Sequence, residues 1–238
     1  MSESIVSVRV SGGTEGTERA ASLAGFLRPL VSSTDLRTQI EGLVQRLGLH
    51  REEGRRTVVF TGTESGIGTS SVVVSLGWTL AIQHRIPTVI VGADLRDGEE
   101  GEAVAAGNTA LSGFRQLLED VGRLEEVVAR SETDGLWVIP AGSGNAGLAG
   151  TDLAGTMNAL SNRFSVVLVD TAPVLEQPES ALLAATAEKT VIVAGHRITQ
   201  RRRLGQATDL LRASGANLTG TVLNRVKNPI PGWIQSRL

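Results

Sequence analysis

Short runs of valine, isoleucine and leucine, separated by segments with helical spacing, constrain the fold of this chain more than any other feature. The runs are TVVFT (57–61), TVIVGA (88–93), GLWVIPAG (135–142), SVVLVD (165–170), TVIVAG (190–195) and NLTGTVLN (217–224). Apolar strands between amphipathic helices are typical of a parallel sheet that is covered on both faces. The sequence therefore predicts an α/β fold with a mainly parallel sheet, in one domain without internal repeats.

The segments around these runs carry helical patterns. They predict helices over 70–83, 152–164 and 200–215, and two short helices within 111–130. A further helix is expected ahead of the first strand, with Asp35 as its cap and Gly48 at its end. Its apolar face is formed by Leu36, Ile40, Leu43, Val44 and Leu47.

The two ends of the chain differ in composition from its middle. Residues 1–32 are rich in Ser, Gly, Thr and Glu, which predicts a flexible tail with one short helix near Ala20–Leu30. We expect the folded domain over 33–228 and a short C-terminal tail over 229–238.

Composition excludes several classes of protein. The net charge of −2 gives no polycation field for nucleic acid, and the absence of cysteine excludes disulfides and cysteine-ligated zinc. No apolar stretch reaches the length of a membrane span, and the N-terminus lacks the pattern of a signal peptide. These features predict a soluble cytoplasmic protein.

The stretch TGTESGIGTSS (61–71) lies between a predicted strand and a predicted helix. It allows three interpretations: the cofactor turn of a short-chain dehydrogenase, a phosphate loop, or a glycine-rich turn without a ligand. The dehydrogenase needs a catalytic tyrosine, and the chain contains no tyrosine. A phosphate loop is favoured because Gly66 and Gly68 allow close backbone approach and the helix start attracts anions.

Two acidic residues follow predicted strands. Asp170 and Pro173 give SVVLVDTAP the Walker B form, in which a carboxylate holds magnesium opposite the loop hydroxyl. Asp94 and Arg96 follow the strand TVIVGA. Since parallel strands end at one edge, we expect these groups to converge there with the loop and Asn224.

Six segments, in order, resemble the motifs of the bacterial tyrosine kinases of capsule and exopolysaccharide synthesis, within the MinD/ParA-like class of P-loop NTPases. They are DLRTQI, TGTESGIGTSS, VIVGADLR, LWVIPAGSGN, VVLVDTAPV and ANLTGTVLNRV, and they span about 190 residues from Leu36 to Val226. The resemblance implies a single-domain P-loop NTPase fold.

The resemblance also implies roles for individual residues. ATP or ADP would be held by Gly66, Gly68, Thr69, Ser70, Ser71 and Arg96, with Asn224 and Arg225 at the positions that contact adenine. Magnesium would be held by Ser70, Asp94 and Asp170, and the two aspartates would be catalytic in any active member.

The chain departs from the family pattern where charge is needed. The loop lysine falls at Thr69, the first acid of the D-x-D pair at Gly92, and the acidic loop position at Ile67. Glu64 lies inside the loop, where it would repel phosphate or point outward. Nucleotide binding is therefore expected to be weak, and neither ATP nor magnesium is expected to be required.

Other family features are missing as well. The family's members phosphorylate tyrosines in their C-terminal tail, and none is present here. The residues that dock neighbouring subunits in family rings fall at Val31, Thr34 and Arg37, of which only the arginine matches. A homo-oligomer remains compatible with the sequence.

These features together predict a degenerate kinase-like regulator or scaffold of exopolysaccharide or capsule biosynthesis and export. Its expected partners are a membrane component of the co-polymerase or export type and an intact kinase of the same family, without nucleic acid. The contact is expected on the helix around Leu36–Leu47 or at the arginine-rich helix start at Arg201. The alternatives are an active ATPase or kinase with a relocated cation, and a MinD/ParA-like positioning ATPase.

Overall fold

The computed structural model of the chain describes residues 8–9, 34–50, 56–95, 112–131, 133–144 and 146–226. The predicted helix near Ala20–Leu30, the ring-docking position Val31, Arg96 and the C-terminal tail lie outside these residues, so their expected roles stay predictions. Within the described residues, no helix combines the length and the apolar character that crossing a membrane requires.

One sheet organises the described residues. Its strands are β1 (Val8–Arg9), β2 (Arg56–Gly62), β3 (Thr88–Ala93), β4 (Ala129–Ser131), β5 (Leu136–Ile139), β6 (Val166–Thr171), β7 (Lys189–Gly195) and β8 (Leu218–Asn224). The order is β1-β4-β5-β3-β6-β2-β7-β8. The pairs from β5 to β8 are parallel, whereas β4 runs antiparallel to β5 and β1 antiparallel to β4. The predicted mainly parallel sheet is confirmed.

Helices cover both faces of this sheet. They are α1 (Thr34–Arg46), α2 (Thr69–Ile82), α3 (Phe114–Glu119), α4 (Leu124–Val127), α5 (Leu153–Arg163), α6 (Ser180–Thr186) and α7 (Arg201–Ala213). A 3-10 turn at Val121–Arg123 joins α3 to α4.

On one face, α2 lies between the sheet and α1. It is apolar nearly all round, and Val73, Leu76 and Leu80 are fully buried. The predicted apolar face of α1 packs on it through Ile40, Val44 and Leu47. Chain reversal after α1 is at Gly48, whose φ of 65° lies in the left-handed region that glycine adopts without strain.

The other face is covered by the remaining helices. Its apolar cluster includes Phe114, Leu117, Met157, Leu160, Leu183 and Leu211. The two apolar layers bury β2, β3, β6 and β7 from both sides, which explains why their sequences are continuously apolar rather than alternating.

Three elements differ from the sequence-based expectation. Strand β1 lies in the segment that was expected to be a flexible tail, and it pairs with β4. Residues 129–131 form β4, although the helical pattern was expected to reach 130. Helix α6 had no predicted counterpart. All three are short, and such segments offer too few positions for a periodic pattern to emerge.

Candidate phosphate-binding site

The loop between β2 and α2 is shaped by two glycines in the left-handed region. Gly66 has a φ of 75° and Gly68 a φ of 89°, a conformation that is strained for other residues. Gly68 also has no room for a side chain, because a Cβ there would lie 2.5 Å from Asn224 Nδ2. Both glycines are therefore required by the loop.

The main chain of this loop is suited to an anion. No described residue accepts a hydrogen bond from the N–H groups of Gly66, Ile67, Gly68 or Thr69. These groups precede or begin α2, whose N-terminus carries a partial positive charge. Consecutive N–H donors at a helix start form the kind of nest that binds phosphate.

Asp170 lies at the carboxyl end of β6, opposite Phe60 of β2 and Gly92 of β3. It is buried, with 4% of its surface exposed. Burial raises the pKa of Asp170 from 3.8 to about 7; the Ser70 hydroxyl lowers it by hydrogen bonding to the carboxylate, and the Asp94 charge raises it further. Ser70, Asp94 and Asp170 therefore come together at one edge of the sheet, as expected.

This oxygen donor set fits magnesium. Mg²⁺ is held by one or two carboxylates together with waters and substrate phosphates. Among the described residues there is no group of three or more His, Cys, Asp or Glu side chains that could hold a metal without such help. A metal that arrived with a phosphate would be held by Ser70, Asp94 and Asp170.

All three positions where the charge pattern is broken are neutral, and one of them, Ile67, is a buried apolar residue. The Thr69 hydroxyl lies 3.0 Å from where a Cβ of Gly62 would be, so it turns back over the end of β2. Gly92 packs against the next loop, where a Cβ would be 3.3 Å from Ala141 N. None of these positions brings a charge to the phosphate nest.

Glu64 turns out of the nest toward the turn between β7 and α7. Its Oε1 accepts a hydrogen bond of 2.6 Å from Thr199 Oγ1, and its Oε2 lies 3.5 Å from Arg203 Nε. Of the two orientations considered for this side chain, the outward one is present. Arg201 and Arg202 at the start of α7 are exposed, whereas Arg203 is half-buried.

A second carboxylate holds the outer side of the loop. Glu176 accepts hydrogen bonds from Ser65 N at 2.8 Å and from Ser65 Oγ at 2.6 Å. The contacts of Thr199, Arg203 and Glu176 were not expected from the sequence. These residues belong to no motif and reach the loop from segments over 100 positions away, so no local signal marks them.

Of the two adenine-contact candidates, Asn224 contacts the loop. Asn224 Nδ2 donates to Ile67 O at 2.9 Å, with a longer contact of 3.4 Å to Gly68 O, so its amide nitrogen supports the loop. Arg225 is exposed and has a φ of 60°. Ser71 lies in the first turn of α2, where its carbonyl accepts from Ser75 Oγ.

Comparison with known proteins agrees with this geometry, although no family model matches the chain. The tyrosine-protein kinase CpsD of Streptococcus agalactiae is 24% identical over 179 residues, which cover 74% of this chain and 77% of the relative. The putative tyrosine-protein kinase EpsB of Ralstonia solanacearum is 26% identical over 193 residues, 79% of this chain and 24% of the relative. The homologues of this chain are bacterial tyrosine kinases.

Solved structures of kinase domains are also similar to this chain in fold. The BceF tyrosine kinase domain matches with a TM-score of 0.68 at 26% identity, covering 85% of this chain and 84% of that domain. The septum site-determining protein MinD from Pyrococcus horikoshii, complexed with Mg-ADP, has a TM-score of 0.58 at 17% identity, covering 76% of each chain. The described sheet and helices thus have the same fold as this kinase domain and as MinD.

The relatives differ in how much of their length is matched. The chain spans about three quarters of the CpsD relative and about a quarter of EpsB. The similarity to EpsB is therefore a similarity to one part of a longer protein.

Proposed function

We propose that this chain is a kinase-like P-loop protein of exopolysaccharide or capsule biosynthesis whose nucleotide site is built but disabled, and that it acts through protein contacts. The observation that carries the proposal is the contrast within one site. Ser70 and Asp170 are hydrogen-bonded in the Walker arrangement, while Thr69 stands in place of the loop lysine and Gly92 in place of the first acid of the D-x-D pair. The homology to tyrosine-protein kinases supports the role in polysaccharide biosynthesis.

The residues present would still receive a nucleotide, with reduced affinity. The N–H groups from Gly66 to Thr69 would bind phosphate oxygens, and Ser70, Asp94 and Asp170 would hold Mg²⁺. When bound, the metal would neutralise phosphate charge. A missing charge-assisted contact costs about 1.5–3 kcal/mol, which is about ten- to a hundredfold in affinity.

The rate of phosphoryl transfer would fall by a larger factor than the affinity for nucleotide. The lysine that is replaced by Thr69 stabilises charge that develops on the transferred phosphoryl group, and one such donor is worth about 10²–10³ in rate. Autophosphorylation on tyrosine has no acceptor in this chain. We therefore place its action in regulation or scaffolding.

The proposed setting is the cytoplasmic side of the membrane. There the protein would contact a membrane component of the co-polymerase or export type, or an intact kinase of its own family. The folded domain over 33–228, with tails on both sides, is part of this proposal.

Calorimetric titration with Mg-ATP, combined with an ATPase assay, tests the nucleotide part. We expect a dissociation constant of about 100 μM or weaker and hydrolysis at background. Micromolar binding, or steady turnover that Asp170→Ala abolishes, would contradict the proposal and favour an active ATPase or kinase with a relocated cation.

A further inference from the structure

The loop contains a negative charge that a phosphate site should not tolerate. Glu64 lies two residues before Gly66, and its side chain is 20% exposed, so solvent screens it only partly. A carboxylate near a bound phosphate opposes binding, and more strongly in a partly buried site than in water. The contacts of this carboxylate therefore bear directly on anion binding.

Three hydroxyl and amide groups fix where the carboxylate points. Thr199 Oγ1 has one proton, and it donates that proton to Glu64 Oε1 at 2.6 Å. Thr199 Oγ1 must then accept from Gly195 N at 2.9 Å. Thr63 Oγ1 lies 2.9 Å from Thr199 Oγ1 and 3.3 Å from Glu64 Oε1, and its one proton serves either oxygen. The hydrogen bonds thus run in one direction and end on Glu64, away from the nest.

Arg203 supplies the opposite charge. Its Nε lies 3.5 Å from Glu64 Oε2, an ion pair without the geometry of a hydrogen bond, and its Nη2 donates to Thr63 O at 3.1 Å. One guanidinium from the first turn of α7 therefore contacts both the carboxylate and the main chain at the start of the loop.

We infer that Arg203 is a positioning residue of the phosphate site: it neutralises Glu64 and holds the loop in its anion-accepting conformation. The inference rests on the proposed function in one respect, that the nest takes phosphate. It assigns to α7 a role in the site that none of the loop, Walker B or D-x-D motifs contains.

Nucleotide affinity tests the electrostatic part. Arg203→Gln is expected to weaken Mg-ADP binding by about three- to tenfold, since it leaves the Glu64 charge unpaired. Arg212→Gln removes the same charge at the far end of α7 and is the matched control. Adding Glu64→Gln to Arg203→Gln should restore most of the affinity, because the repelling charge is then gone. Absence of this rescue would overturn the electrostatic role.

Hydrogen exchange of the nucleotide-free protein tests the conformational part without any ligand. The amides of Thr63 and Ser65, which donate to Val193 O and to the Glu176 carboxylate, are expected to exchange about three- to tenfold faster in Arg203→Gln than in wild type, and unchanged in Arg212→Gln. Equal exchange in the two variants overturns the inference, whatever the affinity. If wild type binds no Mg-ADP while Arg203→Gln still loosens the loop, the proposed nucleotide site fails and the inference about the loop stands.

Discussion

At the scale of single residues, Asp170 carries a pH dependence that can be measured. Its raised pKa means that the folded state keeps a proton which the unfolded state releases, so folding stability falls as pH rises from about 4 to about 7 and is level above that range. The asparagine of Asp170→Asn does not titrate, so this variant should keep its folding stability across that pH range.

The measurement is the melting temperature of both proteins from pH 4.5 to 8.5 in EDTA. Asp170→Asn is expected to melt about 5 °C or more above wild type at pH 8, with the gap closing toward pH 4.5. If the two melting-temperature curves stay parallel across this pH range, burial does not shift the pKa of the Asp170 carboxyl group.

Restoring the two charged side chains that this chain lacks at positions 69 and 92 should strengthen nucleotide binding. Thr69→Lys with Gly92→Asp should tighten Mg-ATP binding by about ten- to a hundredfold, because it restores a cation at the phosphates and an acid beside Asp170. A Cβ on Gly92 would be 3.3 Å from Ala141 N, so that loop must move by a few tenths of an ångström to admit the new side chain.

Calorimetry checks this gain, with Thr69→Met as a control that adds length without charge. If Thr69→Met tightens Mg-ATP binding as much as the change to lysine and aspartate does, the longer side chain and not its charge improves binding. No change in either variant would mean that the pocket is closed by other contacts.

At the scale of elements, two glycines in helices make a matched pair. A Cβ on Gly77 of α2 would lie 2.8 Å from Ile90 Cδ1, and Ile90 is fully buried. Gly205 of α7 is exposed and has nothing within 4 Å. The same change to alanine should therefore have opposite effects.

Urea unfolding measures the difference. Gly77→Ala is expected to lower the free energy of unfolding by about 1 kcal/mol or more through overpacking. Gly205→Ala should raise it by about 0.5–1 kcal/mol, because alanine is the better helix former. Stabilisation by both changes would show that α2 can move away from β3.

Strands could be predicted because burial on both faces leaves a continuous apolar run, and long helices because burial on one face leaves apolar residues at helical spacing. The predicted strand TVIVGA matches β3 residue for residue, and the carboxyl-edge placement of Ser70, Asp94 and Asp170 follows from parallel topology. The direction of Glu64 could not be predicted. It depends on Thr199 and Arg203, whose approach is set by how α7 packs on the sheet.

At the scale of the whole molecule, packing between elements limits which residues of the expected partner surface are exposed. The apolar face of α1 is covered by α2, so only polar positions such as Arg37 and Arg46 stay exposed there. At the start of α7, Arg201 and Arg202 are exposed while Arg203 is engaged with Glu64. A contact with a membrane partner would therefore be polar on either helix.

Co-purification from native membranes tests this contact with charge reversals. Since reversing a charge at a complementary interface opposes association, either Arg201→Glu with Arg202→Glu or Arg37→Glu with Arg46→Glu should reduce recovery with the membrane fraction by about tenfold. Arg212→Glu, at the far end of α7, is the control for net charge. If neither reversal changes recovery, neither helix surface forms the contact with the membrane partner. Wild-type protein that never co-purifies with a polysaccharide-export component, together with unchanged surface polysaccharide after its deletion, would contradict the partner proposal itself.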